Sequence, residues 1–342
     1  MRRPIEDGFF MPPEWHPHKR CWMAWPCREE LWGDRLDAAR TAYADVAKTI
    51  AQFEPVTMIV NPEDVAEVSL RCGSGVGALP LEIDDSWVRD TGPTFLLDGK
   101  GGLAGVDWRF NAWGETYQGY DKDAAMARAV LEHIDVPRYE APLVLEGGSI
   151  HVDGEGTLLT TEQCLLNPNR NPDLSREEIE RLLREYVGVK TIVWLGQGLE
   201  DDETDGHVDN LACFAKPGVV LALTTEDTGD ANYAALQDNL KRLRAARDAS
   251  GRELEIVEIE QPSRSVGEDG QRLSRSYINF YIANGGVVMP EFEDAKDQAA
   301  YDAVVRCFPD HDVRQISAAD IVCGGGGIHC ITQQQPAVES KD

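Results

Sequence analysis

The chain has 342 residues, 42% of them hydrophobic and eight of them Trp, which is ample for a large buried core and excludes a disordered chain. Its 33 basic residues stand against 60 acidic ones, a formal charge of −27, which argues against nucleic acid or an anionic membrane surface as partner and favours a small cation. No apolar run reaches the ~18 residues of a membrane span, and no apolar stretch follows Arg2 and Arg3 as in a secretory signal. The eight cysteines are widely and unevenly spaced with no CxxC pair, so a reduced, cytoplasmic protein is expected.

In chain order, a helical pattern from Leu36 to Gln52 precedes a strand over Pro55 to Val60. A hairpin follows, Thr94 to Leu97 and Leu103 to Val106, turning at Asp98-Gly99. A second helix, Asp121 to His133, leads into a strand over Asp135 to Tyr139. The second hairpin joins Ser149–Val152 to Thr157–Thr160 across Asp153-Gly154. Ser175, with Glu178 three residues on, forms a capping box that opens a helix running to Tyr186, ahead of a strand over Lys190 to Leu195. A third hairpin joins Leu211–Phe214 to Val219–Leu223, and a helix over Asp230 to Ala249 then precedes the alternating stretch Leu254 to Ile259. The fourth joins Tyr277–Ile282 to Val287–Met289, and a last helix, Ala295 to Cys307, precedes Val313 to Ile316. Each unit reads strand, strand, helix, strand. Five such units closing around an axis would make one α/β domain over residues 1–342 without a linker.

Near the end stands Gly324-Gly325-Gly326-Gly327, followed by Ile328-His329-Cys330. No Gly-Lys-Ser/Thr follows, which excludes a phosphate-binding loop. If the segment is extended, Cys330 lies on one face with Ile328 and Thr332, and His329 on the other. Three further fragments carry chemistry at unit boundaries. Asp90 precedes the Gly92-Pro93 turn, Glu146 precedes Gly147-Gly148, and Gly206-His207-Val208-Asp209-Asn210 places His207 and Asp209 two residues apart. Taken singly, each has an ordinary structural reading: a packed thiol, a satisfied histidine, turn-capping acids. Together they admit two chemistries. His207, Asp209, His329 and Cys330 offer metal ligands, although adjacent His329 and Cys330 would point apart on a strand. The other chemistry is a thiolate attacking a carbon held between carboxylates, and a guanidinium, with its planar N–H fork, is the group that carboxylates hold in pairs. A non-catalytic acidic polyamine-binding protein would need the acids but not Cys330.

The fragments Trp87-Val88-Arg89-Asp90-Thr91-Gly92-Pro93, Glu146-Gly147-Gly148-Ser149-Ile150-His151, Gly206 to Asn210 and Gly325 to Pro336 together resemble the agmatine deiminase family of the guanidino-group-modifying, or pentein, superfamily. Met11-Pro12-Pro13-Glu14-Trp15-His16-Pro17-His18 and Trp22-Met23-Ala24-Trp25-Pro26 extend the resemblance over essentially the whole chain. It implies a five-bladed, pseudo-symmetric α/β propeller of ββαβ units. It also implies hydrolysis of agmatine to N-carbamoylputrescine and ammonia through a covalent amidino-cysteine intermediate, with no metal or cofactor, in a homodimer. Carried over residue by residue, Cys330 resembles the nucleophile, His207 the general acid/base and Glu146 the catalytic carboxylate. Asp90 and Asp209 resemble the guanidinium-holding pair, and Trp87 the pocket lining. Gly327 departs from the pattern, where Asn is as common. Arginine deiminase and protein-arginine deiminase are the alternatives on the same fold. The motifs are poor in cations to receive an arginine carboxylate, Arg89 is expected to point away from the acids, and the acidic run Glu200 to Glu203 suits an ammonium better. His329, His151 and the other seven cysteines are expected to be structural.

Overall fold

Five small mixed sheets carry the fold, and one rule runs through them. In four of them two strands joined by a short connection pair antiparallel, and a helix then returns the chain to a third strand parallel to the second; in the first sheet the antiparallel partner comes from the far end of the chain. The computed structural model describes residues 2–268 and 270–338; residues 1, 269 and 339–342 of the expected 1–342 span lie outside the described residues.

The first sheet takes β1 (His18–Ala24), β2 (Val56–Val60) and β3 (Val76–Pro80), with α1 (Leu36–Ile50) crossing from β1 to β2. The second holds β4 (Thr94–Leu97), β5 (Leu103–Arg109) and, after α2 (Met126–His133), β6 (Arg138–Val144). In the third, β7 (His151–Val152) and β8 (Thr157–Thr161) are followed by α3 (Arg176–Val187) and β9 (Thr191–Leu195). The fourth repeats this with β10 (Ala212–Lys216), β11 (Val219–Thr224), α4 (Tyr233–Ala245) and β12 (Glu255–Glu260). The fifth follows with β13 (Tyr281–Ala283), β14 (Gly286–Glu291), α5 (Asp297–Cys307) and β15 (Asp312–Ser317). The last strand, β16 (Gln333–Pro336), starts no sixth sheet. It pairs antiparallel with β1, Trp22 opposite Gln333, and supplies the first sheet with the strand it lacked. The architecture is the five-bladed α/β propeller of the pentein fold.

Local sequence explains the elements. The central strand β11 is buried on both faces and therefore reads as an unbroken apolar run, Val219-Val220-Leu221-Ala222-Leu223. Helix α3 buries Ile179, Leu182, Leu183 and Tyr186, the spacing of one helical face. Its first turn is closed by the Ser175–Glu178 capping box, and Gly188 at φ 74° ends it. Boundaries differ where turn chemistry intervenes. The helix expected over Asp121 to His133 breaks at Ala125 into two pieces. The strand expected at Asp135 begins at Arg138, because Asp135 turns left-handed at φ 55° and Pro137 has no N–H for the ladder. Among the described residues no helix is long and apolar enough to cross a membrane.

The segments entering β4, β7, β10, β13 and β16 meet one another. Gly148 N–H donates to Asp90, Asn279 donates to Asn210, and His329 meets Asp209. The site forms at that meeting point.

Candidate active site

Glycine opens the centre. Gly147-Gly148-Ser149 is a 3-10 turn with Glu146 at its N-terminus. A Cβ on Gly147 would strike the Arg89 carbonyl. One on Gly148 would stand 2.7 Å from His207 Nδ1 and 2.9 Å from both Asp209 Oδ2 and Asp90 Oδ1. Three functional side chains thus converge on the space that the missing Cβ leaves. Asp90 sits in the short helix Val88–Thr91, and both its oxygens are held, Oδ1 by Gly148 N–H and Oδ2 by Trp113 Nε1–H, each at 2.9 Å. Trp113 reaches Asp90 from a run of left-handed backbone, Ala112, Trp113, Gly114 and Glu115, a conformation bulky residues rarely adopt.

His207 lies at the entry to the turn Val208–Asn210 and is fully buried. Its Nδ1 is 3.8 Å from Asp90 Oδ1 and its Nε2 3.6 Å from Glu146 Oε2, too long for hydrogen bonds, so the ring is flanked by charge without being pinned. Glu146 is pinned. Arg170, itself buried, donates through Nε to Glu146 Oε1 at 2.7 Å and through Nη1 to Asp205 at 2.8 Å. Cys164 adds a thiol 3.8 Å from Glu146 Oε2. The donor atoms of Glu146, Cys164 and His207 lie within 4.8 Å of one another, with Glu146 Oε2 turned to Cys164 and His207 and its Oε1 held by Arg170. Of the seven cysteines expected to be packing residues, Cys21, Cys72, Cys164 and Cys213 are buried, and Cys27, Cys307 and Cys323 are half-buried.

The segment bearing Cys330 is a turn and not an extended strand; β16 begins only at Gln333. Thr332 Oγ1 donates back to the Ile328 carbonyl at 3.0 Å, and Arg89 N–H donates to the Cys330 carbonyl at 3.1 Å. This corrects the alternation read from sequence, since His329 and Cys330 reach the same carboxylate. Asp209 Oδ2 lies 2.9 Å from His329 Nδ1 and 3.6 Å from Cys330 Sγ. Asp209 Oδ1 is buried and has no hydrogen-bond partner. Asn279, which the sequence reading passed over, accepts His329 N–H at 2.8 Å and donates through Nδ2 to Cys330 Sγ at 3.3 Å. Its Oδ1 occupies the space that a Cβ at Gly327 would need, so the amide missing from Gly327 has a counterpart there. Arg89 points away from the pocket as expected, although from a helix: it donates to the His329 carbonyl and to Glu14.

Above these groups opens a narrow pocket lined by Trp87, Asp90, Trp113, Tyr117, Glu203, Thr204 and Cys330 with glycines of the run. Trp87 stacks on Trp32 at 5.9 Å and is tied by its Nε1–H to Asp85. A Cβ on Gly326 would come within 2.5 Å of the Trp87 ring, so this glycine lets the loop lie flat against the indole. At the mouth, Tyr117 O–H donates to Glu203 at 2.7 Å.

Electrostatics divide the acids. Burial pushes Asp90 above the usual carboxylate range, and Asp209 and Glu146 add to this against the pull of His207. Burial acts likewise on Asp209, but the His329 hydrogen bond and charge outweigh it and hold Asp209 low. Glu146 is held low against its burial by His207 and Arg170. Burial lowers His207, yet Asp90, Cys164 and Glu146 raise it well above an ordinary histidine. Cys330 is pushed well above an ordinary thiol by burial and by Asp209 and Asp90. The free pocket therefore holds a thiol beside an imidazolium, and an incoming cation favours its ionisation.

All six residues expected at the site lie together here. Sequence reasoning missed Glu14, Trp113, Arg170, Glu203 as a mouth residue, Asn279, and the contact of His329 with Asp209.

Residues 10–336 match the Porphyromonas-type peptidyl-arginine deiminase family. The agmatine deiminase of Stutzerimonas stutzeri is 48% identical over 98% of this chain and 97% of its own. The solved structure of the Enterococcus faecalis agmatine deiminase superposes with a TM-score of 0.95 at 39% identity, covering 98% of both chains. That of a Cys-to-Ser variant of the C. jejuni agmatine deiminase with substrate bound superposes with a TM-score of 0.89 at 27% identity, covering 97% of both.

Proposed function

The chain belongs to that family, and we propose that it hydrolyses agmatine and water to N-carbamoylputrescine and ammonia. The observation that carries this reading is the pocket: a thiol lies at its base beside two carboxylates, an acid stands at its mouth, and no Lys or Arg is among its described lining residues. The activities of the relatives support it.

Asp90 and Asp209 take the guanidinium between them, Asp209 through its unpartnered Oδ1. Trp87 covers the alkyl chain. The substrate cation, together with protonated His207, draws Cys330 to the thiolate, its proton passing to solvent as substrate binds, and the thiolate attacks the guanidinium carbon to form a C–S bond. The imidazolium of His207 gives its proton to one amino nitrogen, the C–N bond breaks, and ammonia leaves an amidino-thioether. Neutral His207 then takes a proton from water as its oxygen adds to the same carbon. Collapse breaks the C–S bond as the hydroxyl proton passes to the departing sulfur, releasing the ureido product and regenerating the Cys330 thiol. Glu146, anchored by Arg170, faces the far side of the ring and stabilises its charged form. Eight free cysteines suit a reducing cytoplasm.

Glu203 with Tyr117 at the mouth receives the far ammonium of agmatine, where arginine would bring a carboxylate against an acid. A polyamine-binding protein would have no use for a thiol between the acids. The test is kcat/KM for agmatine, free arginine and a peptide with internal arginine, read by ammonia release and product mass. Agmatine leads by at least ~100-fold, or ~2.7 kcal/mol. Equal rates on arginine would move the substrate while keeping the chemistry, and no turnover of any guanidine would overturn the reading.

A further inference from the structure

Two buried histidines near the site share a neighbour and differ in protonation. His151 Nδ1 accepts the Phe214 backbone N–H at 3.3 Å, so its proton is on Nε2, which faces Glu14 Oε2 at 3.5 Å, and the ring is neutral. His329 has no acceptor role open to it. Its Nδ1 is 2.9 Å from Asp209 Oδ2 and its Nε2 2.8 Å from Glu14 Oε1, and the side chains of all three are at most 5% exposed. A neutral ring has one N–H and would turn a lone pair onto one carboxylate, unless that carboxyl were protonated. Both carboxyls are held ionised despite burial, Asp209 by His329 and Glu14 by His329 and Arg89.

We propose that His329 is a doubly protonated positioning residue, locked between Glu14 and Asp209, that places a positive charge behind Asp209 and so eases formation of the Cys330 thiolate. Charge balance agrees. The groups facing His329 are Glu14 from the N-terminal segment, Asp209 from the turn before β10, Arg89 from the short helix, neutral His151 on β7 and the uncharged amide of Asn279. Two anions and one guanidinium leave one buried negative charge without a partner, and an imidazolium supplies it. The consequence passes through one oxygen. Asp209 Oδ2 accepts from His329 and also lies 3.6 Å from Cys330 Sγ, where a bare carboxylate would oppose a thiolate. With the cation behind it, Asp209 can hold a guanidinium without suppressing the nucleophile as strongly. The same contact fixes the carboxylate and leaves Oδ1 without a partner.

The inference rests on Cys330 being the nucleophile, and its test does not depend on agmatine. Two-bond 1H–15N spectra of 15N-histidine protein, recorded from pH 6 to 9, report the protonation of each of the seven histidines. The signal lost in His329→Asn is expected to be an imidazolium through pH 8; a neutral ring at pH 7 overturns the proposal. His329→Asn keeps an amide donor toward Asp209 but carries no charge. Alkylation of Cys330 by iodoacetamide, located by peptide mass, should shift about one pH unit to the alkaline side, or about tenfold slower at a pH below the transition. An unchanged profile in a folded variant also overturns it, because a merely structural histidine would not move that profile. If His329→Asn does not fold, Glu14→Gln removes one of the two anions, and the His329 signal should then titrate to neutral at lower pH than in wild type. No change there counts against the proposal. Absence of agmatine turnover with these results intact would fault the substrate and not the histidine.

Discussion

Asp209 presents one oxygen to Cys330, with Oδ2 3.6 Å from the sulfur, and keeps the other, Oδ1, buried and unpartnered. In the proposed function one carboxylate both binds the substrate cation and opposes the nucleophile. Asp209→Asn separates these roles. Turnover of agmatine should fall by ~3–5 kcal/mol, as when one side of a buried ion pair is removed. Alkylation of Cys330 in the free protein should become faster, because a neighbouring anion is gone. A variant that alkylates more slowly, or that keeps more than a tenth of wild-type kcat/KM, would remove Asp209 from the pocket.

Gly148→Ala tests the convergence point directly. The new methyl would lie within 3 Å of His207, Asp209 and Asp90 together, and a packed site yields to such intrusion at a cost of ~1–3 kcal/mol in stability. Displacing three functional groups at once should lower kcat/KM by at least ~100-fold, ~2.7 kcal/mol. Steady-state kinetics alongside a thermal melt give both quantities. Activity within tenfold of wild type would mean the three side chains do not act from these positions.

Much of this was legible in the sequence, for physical reasons that also mark where legibility stopped. The blades were readable because α3 and β11 obey their own periods, and Asp90, Glu146, His207 and Cys330 stood out at unit boundaries. The fifth boundary residue, Asn279, did not, because Tyr277 to Ile282 is apolar enough to read as continuous strand whereas β13 begins only at Tyr281. The repeat itself could have found it, as the residue just ahead of the fifth inner strand. His329 was misplaced by assuming an extended backbone where the Thr332 hydroxyl closes a turn. Glu14 and Arg170 act through contacts that no local period encodes; Glu14 meets His329 across 315 residues.

The pH dependence has a definite sign. Burial with Asp209 and Asp90 raises Cys330, and Asp90, Cys164 and Glu146 outweigh burial to raise His207. The free protein at neutral pH thus carries thiol and imidazolium, and one net proton must leave to reach the thiolate–imidazolium form. On that limb kcat/KM should climb about tenfold per pH unit above pH 6.5, the ordinary histidine value, and turn over only at alkaline pH. A rate profile from pH 5.5 to 10 decides it. An optimum below pH 6.5 would mean that Cys330 ionises without the help this site requires.

The proposed function places substrate choice on Glu203, and its variant can be made to report binding of one group alone. The carboxylate is exposed at the mouth, held by Tyr117 O–H at 2.7 Å. It lines the same pocket as Trp87, Asp90 and Cys330. An exposed charge pair is screened by water and salt, so its contribution is at most ~1 kcal/mol. Glu203→Gln should therefore raise KM for agmatine by roughly fivefold, leave kcat near wild type, and flatten the rise of KM with ionic strength. Butylguanidine keeps the guanidinium and the chain but lacks the ammonium. Its kcat/KM should be the same in wild type and variant, since nothing on it meets position 203. A parallel loss for both compounds would show that Glu203 shapes the mouth without reading charge. A loss for butylguanidine alone is incompatible with any contact between Glu203 and the ammonium. Free arginine offers the converse measurement. Removing the acid relieves its repulsion of the α-carboxylate, so the agmatine-to-arginine ratio should shrink from both sides, through weaker agmatine and better arginine binding.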